Sequence, residues 1–186
     1  ADVILIDDLV NPAVLQHAKS DVRIVSVGKR GGCASTPQEF IERLMIAEAR
    51  AGNRVVRLKG GDPYMFGRGG EERASLRAQG IDVEVVPGIS SGLAAPSSIG
   101  VPLTHRGWSQ GAVFVTGHGK DSASEPNWAA LAQSKLTLVI YMGVAGASHI
   151  QRELLQGLPA STPVAEPRRP ENPPSGSISF AGSGAP

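Results

Sequence analysis

Cysteine is nearly missing from this chain: Cys33 stands alone among 186 residues. An internal disulfide framework is therefore impossible, and a reducing compartment such as the cytoplasm is the expected setting. Metal binding is not expected either. His17, His105, His118 and His149 lie far apart in sequence, and one thiol cannot complete a zinc site. An excess of either charge is also lacking, with 18 Lys and Arg against 17 Asp and Glu, so no nucleic-acid-binding stripe is expected. The best apolar run, 136–144, is about half of what a membrane crossing requires. No leader peptide is evident.

Nucleotide fingerprints are absent as well. A dinucleotide fold would place G-x-G-x-x-G after the first strand, where Ile4-Leu5-Ile6-Asp7-Asp8-Leu9 stands instead, and the Gly67-x-Gly69 pair is followed by Glu72 at the sixth position. A Walker loop fails because Gly119-Lys120 is followed by Asp121 and Phe114 occupies the first glycine position.

What the chain does have is a regular alternation of strand and helix signals. Strands are expected at 3–6, 22–27, 54–58, 83–86, 113–116 and 136–141. Asn11-Pro12 starts a helical turn, and Thr36-Pro37-Gln38-Glu39 has the form of a capping box. The box leads into a helix with an apolar stripe of Phe40, Ile41, Leu44, Met45 and Ala49, ended by Gly52. A helix at 70–78 is closed by Gly80, and others lie near Gly92, Trp128 and His149. This order argues for an α/β fold with mostly parallel pairing. In such sheets ligands gather beyond the carboxyl ends of strands. Asp7, Lys29, Gly60-Gly61-Asp62, Ser90-Ser91 and Met142 all sit at such ends, which is what a cofactor cleft needs.

The densest signal is the run 55–72, Val-Val-Arg-Leu-Lys-Gly-Gly-Asp-Pro-Tyr-Met-Phe-Gly-Arg-Gly-Gly-Glu-Glu. A β-branched strand ends in Gly60-Gly61, where positive φ lets backbone approach a ligand closely; Asp62 supplies an acceptor and Pro63 stops the strand. A Gly-Gly pair alone would more often be a tight strand-to-helix turn. In order along the chain stand 1–10, Val27-Gly28-Lys29-Arg30-Gly31, Val86-Pro87-Gly88-Ile89-Ser90-Ser91, Pro102-Leu103-Thr104-His105-Arg106-Gly107, Thr116-Gly117-His118 and Tyr141-Met142-Gly143. Together with the glycine-rich run, this series resembles the tetrapyrrole methyltransferases over residues 1 to about 165, most closely the group that acts on uroporphyrinogen III.

The resemblance implies two α/β lobes of non-Rossmann type, with S-adenosylmethionine bound in the cleft between them, usually in a homodimer. It implies transfer of two methyl groups to pyrrole carbons of uroporphyrinogen III, giving precorrin-2 for sirohaem and cobalamin synthesis. By position, Gly60, Gly61, Asp62 and Met65 match residues that hold S-adenosylmethionine, as do Ser90, Ser91 and Met142. Asp7 matches a proposed proton acceptor and Lys29 a proposed donor. From the residues alone, Asp7 reads as an Asx-type turn and Lys29 as a solvated strand end. Methyl transfer from a sulfonium mainly requires placement in line with the carbon, followed by removal of a proton, for which a carboxylate is suited. The substrate carries eight carboxylates, so Arg30, Arg68 and Arg106 are candidate contacts. Each could equally be a surface arginine or pair with Glu71 or Glu72. His105 and His118, in turns of the same motifs, are candidate substrate contacts too.

The lobes are expected at 1–107 and 108–166. The family's opening strand and Gly-rich loop are not found before the first matched block, and the chain starts at Ala1 rather than Met. Twelve of the twenty residues 167–186 are Pro, Gly or Ser, the composition of a disordered or frame-shifted tail. A chain truncated at both ends is therefore expected. A sister methylase acting on a later precorrin, and an inactive fragment that only binds a ligand or partner, are the alternatives.

Overall fold

Apolar residues on both faces of one short strand organise the first half of the chain. The computed structural model describes residues 1–28, 36–117 and 125–166, and these divide into two units, Ala1–Ser90 and a second beginning at Ser91. In the first unit, strand β1 (Val3–Ile6) is buried at all four positions. It lies between β2 (Arg23–Ser26) and β3 (Val55–Leu58), parallel to both. Alternation along β1 gives two apolar layers. Val3 and Leu5 pack with Val27, with Ile41 and Met45 of helix α1 (Gln38–Arg50), and with Leu76 of helix α2 (Gly69–Ala78). Ile4 and Ile6 pack on the opposite face with Val10, Leu15, Ala18, Val22 and Leu58. The 3-10 turn Pro12–His17 is capped by Asn11, whose side chain accepts the Ala13 N–H at 3.0 Å.

Two local expectations are corrected. The capping box at Thr36 does not form: Pro37 is the N-cap of α1 and makes no side-chain bond to the helix. The Thr36 hydroxyl instead donates to the Gly28 carbonyl at 3.3 Å, tying the helix entry to the end of β2. No strand forms at 83–86. Ile81, Val83 and Val85 turn inward and Asp82, Glu84 and Val86 outward, as a strand would have it, and Ile81 and Val83 rest on the core. Among the described residues, however, no strand pairs with this segment. Periodicity reports which side chains are buried, and only a ladder partner makes the segment a sheet strand.

The second unit contains helix α3 (Ser91–Ser98), strands β4 (Ala112–Thr116) and β5 (Thr137–Tyr141), and helices α4 (Trp128–Gln133) and α5 (Ala147–Leu154). The two strands are parallel, with Ala112 opposite Thr137 and Thr116 opposite Tyr141. Val115, Trp128 and Ile150 form its core. Helix α3 is attached through its first turn: the Gly92 N–H donates to the Tyr141 hydroxyl at 2.7 Å. All strand ladders among the described residues are parallel, as the sequence pattern requires.

Candidate functional site

The carboxyl rim of the first sheet carries the described candidates Asp7, Gly60, Gly61 and Asp62. Register places Ile6 beside Leu58, so the residues that follow, Asp7 and Lys59, leave the sheet side by side. Gly60 and Gly61 continue from β3. Gly61 has φ +78°, open to glycine at no steric cost. Asp62 then turns back on the chain: Oδ1 accepts the Tyr64 N–H at 2.8 Å, and Oδ2 accepts the Gly88 N–H at 3.1 Å. Its carboxylate therefore stitches the glycine turn to the Pro87-Gly88 loop. That loop carries the buried Ser90, whose Cα lies 3.7 Å from where a β-carbon on Gly61 would stand.

Left-handed non-glycine backbone occurs in the same motifs, and also at Lys135 outside them. Phe66 and Arg68 have φ +53° and +57°, and Met142, just past β5 in the second unit, has φ +55°. Left-handed non-glycine residues cost of order 1–3 kcal/mol each and cluster at ligand clamps. Met142 is more than half exposed, and Met65 is half-buried beside the Asp62 turn. Arg68 is mostly exposed; its Nε donates to both Glu71 carboxylate oxygens at 3.1 Å, and this pairing raises the guanidinium above its ordinary value. Of the two pairings left open for Arg68, the one with Glu71 is formed.

Beneath the rim, Asp7 is joined to a set of charges that sequence reasoning did not connect. Arg57 Nη2 donates to Asp7 Oδ1 at 2.6 Å, and its Nε donates to Glu72 Oε1 at 3.1 Å. Lys59 Nζ stands 3.5 Å from both Asp7 Oδ2 and Glu72 Oε2. The four form a closed ring of alternating sign. The signal was available: Arg57 and Lys59 are two cations on one face of a strand whose other members are apolar, so buried acids had to meet them.

In the second unit, Ser91 opens α3 on an exposed turn. His105 and Arg106 lie on a tight turn closed by the His105 and Ser109 backbones, with His105 Nδ1 2.8 Å from the Arg106 carbonyl. This turn surrounds a shallow, polar depression of about 340 Å³, with Thr104, Gly107 and Gln110 also on its wall. Lys29, Arg30 and His118 lie outside the described residues, as does the tail 167–186. Among the described residues no group of three or more His, Cys, Asp or Glu could hold a metal ion, and no helix is long and apolar enough to cross a membrane.

Residues 1–166 match the family described as Tetrapyrrole (Corrin/Porphyrin) Methylases. The chain is 56% identical over 166 residues to a uroporphyrinogen-III C-methyltransferase of Pseudomonas aeruginosa, covering 89% of this chain and 67% of that protein. It is 52% identical over 166 residues to a siroheme synthase 2 of Aeromonas salmonicida, of which it spans 35%. The crystal structure of uroporphyrin-III C-methyl transferase from Thermus thermophilus, complexed with S-adenyl homocysteine, matches with a TM-score of 0.69 and 42% identity over 88% of this chain and 68% of that one. Motif order, parallel α/β architecture and sequence identity agree, and the chain belongs to the tetrapyrrole methylase family.

Proposed function

We propose that this chain carries out, or forms the larger part of an enzyme that carries out, S-adenosylmethionine-dependent C-methylation of uroporphyrinogen III, giving precorrin-2. The observation that carries this reading is the rim of the first sheet. A glycine turn at the end of β3 is tied through Asp62 to the Gly88 loop, and it follows Lys59, which leaves the sheet beside Asp7. The high identity to the Pseudomonas methyltransferase and the S-adenyl homocysteine in the Thermus neighbour support the choice of cofactor and substrate.

In this reading Gly60, Gly61 and Asp62 hold the methyl donor through backbone N–H and C=O groups, because the Asp62 side chain is already engaged. Met65, Ser90, Ser91 and Met142 complete its site. Asp7, directly or through a water, takes the proton that the methylated pyrrole must lose. Lys29 supplies a proton elsewhere on the ring. Arg30, Arg68, His105 and Arg106 face the substrate carboxylates. The lobes divide near 107, the working form is a cytoplasmic homodimer, and the product enters sirohaem and cobalamin synthesis.

The test is anaerobic transfer of labelled methyl from S-adenosylmethionine to uroporphyrinogen III, with Asp62→Ala as the control. Dimethylated product that disappears in the control supports the reading. Transfer to a later precorrin but not to uroporphyrinogen III would replace it with a sister activity. Sedimentation of the same sample tests the dimer.

A further inference from the structure

Three of the four ring charges are sealed from solvent and one is not. The side chains of Glu72, Lys59 and Arg57 are 6%, 9% and 11% exposed, whereas Asp7 is 26% exposed. A buried ion pair is weak evidence for stability, because desolvation offsets much of the attraction and apolar replacements often do as well. A ring of four such charges therefore calls for another explanation. Its geometry supplies one. Both Asp7 oxygens are taken by cations, Oδ1 by Arg57 and Oδ2 by Lys59. The guanidinium is in turn pinned by the Leu5 and Leu58 carbonyls at 3.4 and 3.2 Å. Glu72 holds both cations from α2 and is itself held by Gln38 of α1 at 3.1 Å. Every part is thus tied to a regular element, and the single open face is the Asp7 carboxylate on the ligand rim.

We propose that Arg57, Lys59 and Glu72 are positioning residues, a buried clamp that fixes the orientation of the Asp7 carboxylate toward the substrate. This inference rests on the reading of Asp7 as a substrate-facing group. The test uses the full chain with ¹³C-labelled aspartate, the Asp7 carboxyl resonance being assigned by its loss in Asp7→Asn. Lys59→Met should displace that resonance and lower kcat at least tenfold, with affinity for S-adenosylhomocysteine within twofold of the parent chain. Lys59→Met combined with Glu72→Gln restores charge balance to the ring. The double variant should melt near the parent temperature while the resonance stays displaced and kcat stays low.

Recovery of the resonance and of kcat in the double variant would overturn the proposal and leave the ring a purely structural role. Should either variant fail to fold, Lys59→Arg keeps the charge but changes the donor's reach. It should melt normally with kcat several-fold lower, and an unchanged kcat would overturn the clamp. If the parent chain transfers no methyl, it is not an active methyltransferase by itself, and the resonance arm still decides whether the ring orients Asp7.

Discussion

A β-carbon built on Gly88 would lie 2.2 Å from the Gly61 carbonyl oxygen, a distance no side chain tolerates. Gly88→Ala must therefore push the 87–90 loop away from the glycine turn. We expect a loss of about 1–3 kcal/mol, typical of forced overpacking, seen as a lower urea midpoint with unchanged slope. Asp62→Ala acts on the same junction from the other side. It strips acceptors from the Tyr64 and Gly88 N–H groups, both near solvent, so the stability loss should be near 1 kcal/mol. Binding of S-adenosylhomocysteine, measured by calorimetry, should fall much further than that stability change implies. The sequence made Gly60, Gly61 and Asp62 conspicuous, because glycine beside a strand end has few other uses. It did not reveal that the Asp62 carboxylate joins the turn to the Gly88 loop, since that second partner is 26 residues away.

Short elements depend on their ends. Helix α4 has only six residues, and Asn127 caps it by accepting the Ala130 N–H at 3.0 Å. Asn127→Ala should cost about 1 kcal/mol and lower the thermal midpoint of the second unit. Thr36→Ala should cost clearly less, because Thr36 contributes a long bond to Gly28 rather than a helix cap. Comparing the two melting shifts tests the assignment. Strand positions were legible wherever apolar residues had a ladder to join, as at β1, β3, β4 and β5. They were not legible at 83–86, where the same alternation lacks a partner strand. Local pattern gives which side chains turn inward; pairing is decided by residues remote in sequence. The cap at Thr36 failed for a related reason, since a hydroxyl that could serve the helix found a carbonyl across the fold.

For the whole molecule, three carboxylates contribute to the response to acid. Asp2 is held below its ordinary value of 3.8 first by the Arg54 N–H. Glu48 is held below 4.5 by Arg23 and then Asn53, and Glu125 by the Trp128 indole and then His149. Each binds its proton more weakly folded than unfolded. Their contribution is complete above the ordinary values and is lost as pH falls through the depressed folded ones. The thermal midpoint should therefore be insensitive to these groups near neutrality and decline on acidification below about pH 4.5. Glu48→Gln should flatten that decline in the first unit and Glu125→Gln in the second, as scanning calorimetry across the acid range would show. The effects at Asp2 and Glu125 should be modest, because solvent screens pairs that lie at the surface.

The two faces of β3 have a consequence for how the first sheet comes together. Val55, Arg57 and Lys59 look one way, Val56 and Leu58 the other, and β1 matches them with Val3, Leu5 and Asp7 against Ile4 and Ile6. A slip of one residue would drive Arg57 and Lys59 into the layer of Ile4, Ile6 and Val10, and would leave Asp7 and Glu72 unanswered on the other side. Purely apolar strands would tolerate such an error at little cost. Here a one-residue misalignment strands four charges at once, so the ring also works as a key to which face of the strand turns inward.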